Sequence, residues 1–238
     1  MSDLFEAGGL ENDAPRPLAD RLRPKTLAEV VGQDHLIGAE GPIGRMVAAK
    51  RAHSIILWGP PGTGKTTIAR LLSHAFNLHF VQLSAVFSGV ADLKKTFDAA
   101  RARRKTGQGT LLFIDEIHRF NRSQQDSFLP VVEDGTVVLV GATTENPSFE
   151  LNGALLSRTQ VLVLRRLDDV ALEMLLQRAE AHFGEKLPLT DDARASLRAM
   201  ADGDGRYLLN LAEEVNALKA VKPLDSAALV AAVQKRMP

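Results

Sequence analysis

The fold of this chain is decided by the stretch Gly59-Pro60-Pro61-Gly62-Thr63-Gly64-Lys65-Thr66. An apolar run, Ser54–Trp58, precedes it, and apolar residues recur at helical spacing in the segment Thr67–Phe76 that follows. Glycines let the backbone of such a turn bend until several N–H groups point inward, and the N-terminus of the following helix adds partial positive charge. The strand, turn and helix together predict a phosphate-binding loop.

Two side chains at the end of this loop suit a nucleoside triphosphate bound with Mg²⁺. Lys65 would place a formal charge at the β- and γ-phosphates, and the hydroxyl of Thr66 would help to hold the metal. No Asn-Lys-x-Asp guanine signature is present in the sequence, which favours ATP over GTP. We predict that ATP contacts the whole loop and the next residue: Gly59, Pro60, Pro61, Gly62, Thr63, Gly64, Lys65, Thr66 and Thr67.

The composition narrows the class of protein. The chain has 238 residues, which is long enough for one large domain and a smaller one. Hydrophobic residues make up 45% of it and charged residues 24%, as is usual for a globular protein. Lys and Arg number 29 and so do Asp and Glu, so any surface for nucleic acid must be a local patch. The lack of cysteine excludes disulfides and thiolate chemistry. No signal-peptide pattern or membrane-spanning apolar run is present, so we expect a cytoplasmic protein with no membrane partner.

The order of apolar patterns predicts an α/β architecture. Runs of strand length occur at 54–58, 79–84, 110–115, 137–142 and 161–164, separated by helical or loop sequence. This alternation predicts a five-stranded parallel sheet between helices. After Leu167 only helical patterns remain, at about 168–183, 190–202, 206–220 and 224–236. We therefore predict a flexible arm over 1–17, a nucleotide-binding core over 18–166 and a small all-α lid over 167–238.

A second chemical signal lies where the apolar run Leu111–Ile114 ends in Asp115 and Glu116. The carboxyl ends of strands are where open α/β sheets bind ligands. Asp115 suits the residue that holds Mg²⁺ largely through water, and Glu116 suits the base that orients the attacking water. Two acids at a strand end are also common as the solvated start of a loop. The phosphate-binding loop upstream favours the functional interpretation.

Three stretches together resemble one family: Gly59–Thr66, Asp115-Glu116-Ile117-His118-Arg119-Phe120-Asn121 and Gly141-Ala142-Thr143-Thr144-Glu145-Asn146-Pro147-Ser148-Phe149-Glu150. They resemble AAA+ ATPases of the clamp-loader clade, and more narrowly the family of the bacterial replication-associated recombination protein A. That family is similar to the eukaryotic Werner-helicase-interacting ATPase. The resemblance covers about residues 16–238. It implies a AAA+ P-loop NTPase core, a helical lid and Mg²⁺-dependent ATP hydrolysis in replication and recombination repair.

The resemblance also implies roles for individual residues. Thr144 matches sensor 1, which orients the attacking water, and Arg158 matches the arginine finger that reaches the γ-phosphate of a neighbouring subunit. Arg206 matches sensor 2, a lid arginine that contacts the nucleotide of its own subunit. Val30 and Val31 are the candidates for the adenine pocket, with Gly32 beside them and Leu18 and Arg23 nearby. Without the resemblance, a solvated surface arginine would be the favoured interpretation of Arg158, and β-propensity would be the favoured interpretation of Thr144. Core packing would explain the adenine-pocket candidates as well as base binding does.

Family members also act on DNA and assemble. Basic residues on and beyond one predicted helix would face a central channel in clamp-loader relatives, although a solvated helix face is the simpler alternative. They are Lys94, Lys95, Arg101, Arg103, Arg104 and Lys105, joined by Arg119 and Arg122. The implied partners are DNA junctions or ends, fork proteins such as single-strand-binding protein, and copies of the same chain at the bacterial nucleoid. The full-length family forms tetramers through a further C-terminal region, so we expect this chain alone to be monomeric.

Two other functions remain open from the sequence. A clamp-loader-like interaction module would use ATP as a conformational switch with little turnover. A small-molecule P-loop kinase would need an acceptor pocket, which no pattern indicates, and would not need Glu116 beside Asp115.

Overall fold

The computed structural model of the chain describes residues 16–234, which divide into two compact units. The sheet unit comprises residues 24–172 and 202–205, and the helical unit comprises 16–23, 173–201 and 206–234. This division differs from the predicted boundaries at 17/18 and 166/167. Residues 16–23 join the helical unit because the backbone N–H of Leu18 donates to Glu213 at 3.2 Å and Arg21 forms an ion pair with the same carboxylate. The predicted arm, 1–17, lies outside the described residues except for its last two.

The sheet unit is built on five strands: β1 (Ile55–Trp58), β2 (His79–Ser84), β3 (Thr110–Asp115), β4 (Val137–Thr143) and β5 (Gln160–Val163). All pair in parallel, in the order β2-β3-β4-β1-β5. Each coincides with one of the apolar runs of the sequence, which confirms the predicted α/β class. The central strands β1, β3 and β4 are the most deeply buried, as expected for a parallel sheet covered on both faces.

Helices make up most of the remaining described chain. They are α1 (Leu18–Arg21), α2 (Asp34–Ile37), α3 (Pro42–Ala48), α4 (Lys65–Ala75), α5 (Val90–Lys105), α6 (Arg122–Asp126), α7 (Leu129–Glu133), α8 (Pro147–Glu150), α9 (Gly153–Leu156), α10 (Asp169–Phe183), α11 (Asp191–Ala201), α12 (Gly205–Ala217) and α13 (Ser226–Gln234). Short 3-10 turns cover Leu27–Glu29 and Ile117–Arg119. None of the helices in residues 16–234 combines the length and the apolar character needed to cross a membrane.

The two faces of the sheet carry separate hydrophobic clusters. Successive side chains of a strand point to opposite faces, and in β1 Ile56 joins one cluster while Ile55 and Leu57 join the other. The first cluster packs against α5, α7 and α9, and the second against α3 and α4. The helix that follows the phosphate loop is therefore fixed on one face, and the basic helix α5 on the other.

The helical unit contains α11 and α13 together with most of α10 and α12, in agreement with the helical patterns after residue 167. A partly buried ion-pair cluster links α10 to α11. Arg194 donates to Glu180 at 2.6 Å and to Glu173 at 2.8 Å, and Arg198 donates to Glu173 at 2.6 Å. The hydrogen bonds from Arg194 hold the pKa of Glu173 below its usual range. This carboxylate therefore favours folding above its unfolded-state pKa and loses that contribution as the pH falls through its folded-state pKa.

Candidate functional site

The carboxyl edge of the sheet brings most of the predicted site residues together. Because all strands are parallel, the loop after β1, the acid pair after β3 and the end of β4 meet at this edge. Strand β4 lies between β1 and β3, and Trp58 pairs in register with Thr143. Neighbouring strands lie about 4.8 Å apart, so the ends of β1 and β3 are about 10 Å apart. This spacing leaves room for a phosphate chain and a hydrated cation between the loop and the acids.

The loop after β1 has the backbone that a phosphate cradle requires. Gly62 and Gly64 adopt left-handed conformations, with φ of +67° and +99°, and α4 begins at the next residue, Lys65. A Cβ added at Gly62 would lie 1.8 Å from Oδ1 of Asp204. The backbone N–H of Gly205 donates to the carbonyl of Gly62 at 3.2 Å. Glycine at position 62 is thus needed both for the backbone turn and for the close approach of residues 204 and 205.

The side chain of Lys65 is buried and folds back on its own loop. Its Nζ donates to the carbonyls of Gly59 at 2.7 Å and Pro60 at 2.8 Å. A buried ammonium has to be hydrogen-bonded, and these carbonyls supply part of that solvation. The first N–H groups of any helix also lack intrahelical partners, so the start of α4 suits phosphate oxygens. The loop and Lys65 together fit a polyphosphate.

The acids after β3 fit a cation that is bound mainly through phosphate and water. Asp115 ends the strand half-buried, and Glu116 adopts a left-handed backbone with φ of 54° and ψ of 45°. Within residues 16–234 there is no group of three or more His, Asp or Glu side chains arranged to hold a metal. Mg²⁺ in nucleotide sites needs only one or two protein ligands because phosphates and waters complete its shell. Thr66 and Asp115 are therefore a suitable donor set for Mg²⁺ bound with ATP.

Two further residues close to the acid pair, His118 and Thr143, were given no role from the sequence. Nδ1 of His118 lies 2.9 Å from Oγ1 of Thr143 and 3.4 Å from Oε2 of Glu116. Thr143 is fully buried, whereas the next residue, Thr144, is exposed just beyond the end of β4. Thr144 thus lies at the edge where a water-orienting side chain is expected. The sequence signal that could have pointed to His118 is its position two residues after Glu116.

Arg158 lies at the amino ends of the strands, opposite to the carboxyl edge that carries the phosphate loop. It precedes β5, whose first residue, Gln160, pairs with Ile55 at the start of β1. Its guanidinium forms an ion pair with Glu133 and donates to the carbonyl of Ala154 at 2.8 Å. Its side chain keeps a relative exposure of 35%. The structure therefore does not bring Arg158 to the phosphate loop of its own chain, and it leaves the side chain at the surface.

The other predicted nucleotide contacts are divided between the units. Arg206 is exposed and belongs to the helical unit, as do Leu18 and Arg23. In the sheet unit, Val30 and Val31 are half-buried. They shortly precede Gln33, which is hydrogen-bonded to the backbone just after β5. The buried side chain of Gln33 donates to the carbonyl of Arg165 at 2.8 Å and accepts from its N–H at 3.1 Å. Gly32, with φ of +71°, leaves no room for a Cβ, which would lie 2.7 Å from Leu167.

The predicted basic surface lies on the face of the sheet that carries α5. Lys94, Lys95 and Lys105 are exposed there, whereas Arg101 and Arg104 form ion pairs with Asp98 at 3.1 Å and Asp134 at 3.7 Å. Arg103 is half-buried, and the exposed Arg119 and Arg122 flank Phe120, which packs in the same cluster as α5. Phe87, just before α5, is 89% exposed. Surfaces that bind single-stranded nucleic acid commonly combine exposed aromatic rings with basic groups.

Sequence comparisons match the chain to known protein families. A sequence model of the ATPase family associated with various cellular activities (AAA) matches residues 55–167, and one of magnesium chelatase subunit ChlI matches residues 26–79. The replication-associated recombination protein A of Escherichia coli strain K12 is 47% identical over 203 residues, which are 83% of this chain and 45% of that protein. The ATPase WRNIP1 of Dictyostelium discoideum is 43% identical over 210 residues, 87% of this chain and 24% of that protein.

The fold is also similar to a solved structure. The Thermotoga maritima RuvB Holliday junction branch migration motor superposes with a TM-score of 0.71, covering 90% of this chain and 72% of that one. The two sequences are 24% identical, so this similarity concerns the fold alone. The present chain spans less than half the length of the curated relatives described above.

Proposed function

The chain belongs to the AAA+ family of ATPases and is homologous to replication-associated recombination protein A and WRNIP1, and from this premise we propose that it hydrolyses Mg²⁺-bound ATP in DNA replication and recombination repair. The observation that carries the proposal is the carboxyl edge of the sheet. There the acid pair lies at the end of β3, Thr144 follows β4, and the phosphate loop follows β1, and these three strands are neighbours in the sheet. This is the arrangement that hydrolysis of a bound triphosphate requires.

Each group at this edge has one chemical task in the proposal. The loop N–H groups and Lys65 bind the β- and γ-phosphates, and Lys65 exchanges its bonds to Gly59 and Pro60 for bonds to phosphate oxygens. Thr66 and Asp115 would hold Mg²⁺, which would supply positive charge against the phosphates. Glu116 accepts a proton from a water that Thr144 helps to orient, the water oxygen bonds to the γ-phosphorus, and ADP leaves. Arg206, Val30 and Val31 are assigned to the nucleotide on family resemblance.

A second copy of the chain completes the site in this proposal. Arg158 matches the arginine finger of the family and is exposed at the end of the strands opposite to its own phosphate loop, which supports a role at the γ-phosphate of a neighbouring protomer. Glu133 holds the guanidinium in the single chain. Assembly therefore has to exchange that ion pair for contact with the neighbour's nucleotide, which makes hydrolysis depend on assembly, as a tetramer in the full-length protein.

DNA is the proposed macromolecular substrate. The proposal rests on the similarity to replication-associated recombination proteins and on the basic side chains exposed on α5. Lys94 and Lys105 are 11 residues apart, which is about three helical turns, so both lie on one side of α5. ATP turnover at the phosphate loop would drive remodelling of DNA or DNA-bound proteins at stalled forks, together with fork proteins such as single-strand-binding protein.

We expect forked DNA to raise the ATPase rate several-fold over the rate without DNA. The double charge reversal Lys94→Glu with Lys105→Glu should abolish this stimulation and leave the basal rate unchanged, because both lysines lie away from the phosphate loop. ATPase assays with no DNA, blunt duplex and forked DNA test this, with Lys222→Glu in the helical unit as the matched control. Slow turnover that no DNA stimulates would instead support an ATP switch, and phosphate transferred to a metabolite would support a kinase.

A further inference from the structure

A hydrogen-bonded link joins the proposed base to the strand that carries the water-orienting residue. Nδ1 of His118 lies 2.9 Å from Oγ1 of Thr143 and 3.4 Å from Oε2 of Glu116. The side chain of His118 is 7% exposed, and Thr143 is fully buried as the last residue of β4. The link therefore connects the end of β3 to the end of β4 beneath the site.

The hydrogen on Nδ1 can be assigned from the partners. The Glu116 carboxylate only accepts hydrogen bonds, so a bare Nδ1 facing it would place two lone pairs against each other. The hydroxyl of Thr143 has another acceptor, the carbonyl of Glu145 at 3.2 Å, and its oxygen accepts from the N–H of Glu145 at 3.0 Å. All these groups are satisfied when Nδ1 of His118 carries the hydrogen and shares it between Thr143 Oγ1 and the carboxylate of Glu116.

The turn that carries His118 is fixed against β4 by packing. A Cβ added at Gly141 would lie 2.9 Å from Cδ1 of Ile117, so the absence of a side chain on β4 lets this turn approach the strand closely. Ile117 is fully buried, and Thr143 lies two residues further along the same strand. The imidazole of His118 is thus held by its backbone as well as by its hydrogen bond.

We propose that His118 is a positioning residue for Glu116. Its Nδ1–H is held by Thr143 at the end of β4 and orients the carboxylate of Glu116, so that the orientation of the base depends on the strand that Thr144 follows. The side chain of Glu116 is 31% exposed, and a glutamate loses rotamer freedom when it is held in one orientation, so a fixed partner helps to keep it there. A small misplacement of a catalytic group reduces the rate strongly. The inference rests on the proposed ATPase function and adds a residue that couples the base to the water-orienting strand.

A matched pair of substitutions separates the hydrogen bond from the packing. Asn places an N–H donor where His has Nδ1, and Leu has nearly the same shape as Asn without a donor. We expect His118→Leu to lower kcat about tenfold with an unchanged KM for ATP, and His118→Asn to keep kcat within about threefold of the parent. His53→Leu, at an exposed histidine, is the control, and thermal unfolding checks that both variants fold. Equal kcat in the Leu and Asn variants would overturn the inference.

A second measurement does not depend on turnover. Long-range ¹H–¹⁵N NMR spectra of the ¹⁵N-histidine-labelled chain, with the His118 signals identified by their loss in His118→Asn, report which ring nitrogen carries hydrogen. We expect hydrogen on Nδ1, and we expect its signal to shift in Glu116→Ala. A His118 ring protonated at Nε2 alone would overturn the inference even if the parent hydrolyses ATP. A parent chain that shows the Nδ1–H signal but binds no ATP would refute the proposed function and leave the hydrogen-bonded link established.

Discussion

Replacement of Glu116 by glutamine is expected to lower kcat for ATP hydrolysis by about 10²–10⁴-fold, the range contributed by a positioned general base. The amide has nearly the shape of the carboxylate but cannot take the proton of the attacking water. The phosphate loop, Lys65 and Thr66 are untouched by the change, so affinity for ATP should stay within a few-fold. The expected phenotype is a protein that binds ATP and holds it without turnover.

Steady-state phosphate release and titration with a fluorescent ATP analogue measure the two halves of this prediction. Glu150→Gln is the matched control because Glu150 is an exposed glutamate at the end of α8. Glu116→Gln with undiminished kcat would assign the base to another group. A parallel loss of ATP binding would mean that Glu116 serves the fold of the site.

Replacement of Arg158 by alanine is expected to lower kcat about 10³-fold in assembled protein, the smallest effect usual for an arginine finger. The reason is that Arg158 would no longer neutralise charge on the neighbour's transferred phosphoryl group. ATP affinity of a single chain should be unchanged, because the side chain lies at the edge of the sheet away from its own loop. Arg51→Ala, an exposed arginine before β1, is the control.

Mixing the two inactive variants shows whether the site is shared. In mixed assemblies some interfaces pair the intact Glu116 of an Arg158→Ala chain with the intact Arg158 of a Glu116→Gln chain, so part of the activity should return. Light scattering and differently tagged chains confirm that mixed assemblies are present. Absence of recovery in confirmed mixtures would refute a shared site and would leave Arg158 bound to Glu133 as a structural ion pair.

The strands were predictable because their signals are local. Each strand of the sheet is a short run of apolar residues, and the observed bounds differ from the predicted runs by one residue at most. The edge where the site lies was equally predictable, since parallel strands have to place Lys65 and Asp115 at the same carboxyl edge. The boundaries of the two units were harder to predict from local patterns, because the position of Leu18 depends on Glu213, which is 195 residues away in the sequence.

The candidate site could be proposed from its residue types, but its side-chain contacts could not be predicted. The His118–Thr143 hydrogen bond and the Arg158–Glu133 ion pair each join residues that are 25 positions apart. Such pairs arise from tertiary packing, here of the Ile117–Arg119 turn and of α7 against β4, and no periodicity marks them in the sequence. The close approach of Asp204 to Gly62 is also a tertiary contact. Sequence patterns therefore indicated the chemistry, and the structure showed what holds each group in place.

The central claim is that the loop Gly59–Thr66 binds the triphosphate of ATP, and calorimetric titration of the chain with Mg-ATP tests it most directly. We expect saturable binding to the parent chain and binding about 10- to 100-fold weaker for Lys65→Ala, because a charge-assisted hydrogen bond to phosphate contributes about 1.5–3 kcal/mol. Lys105→Ala, at the end of α5, should bind like the parent. A folded parent chain without affinity for Mg-ATP, or a Lys65→Ala variant that binds as tightly as the parent, would contradict the claim.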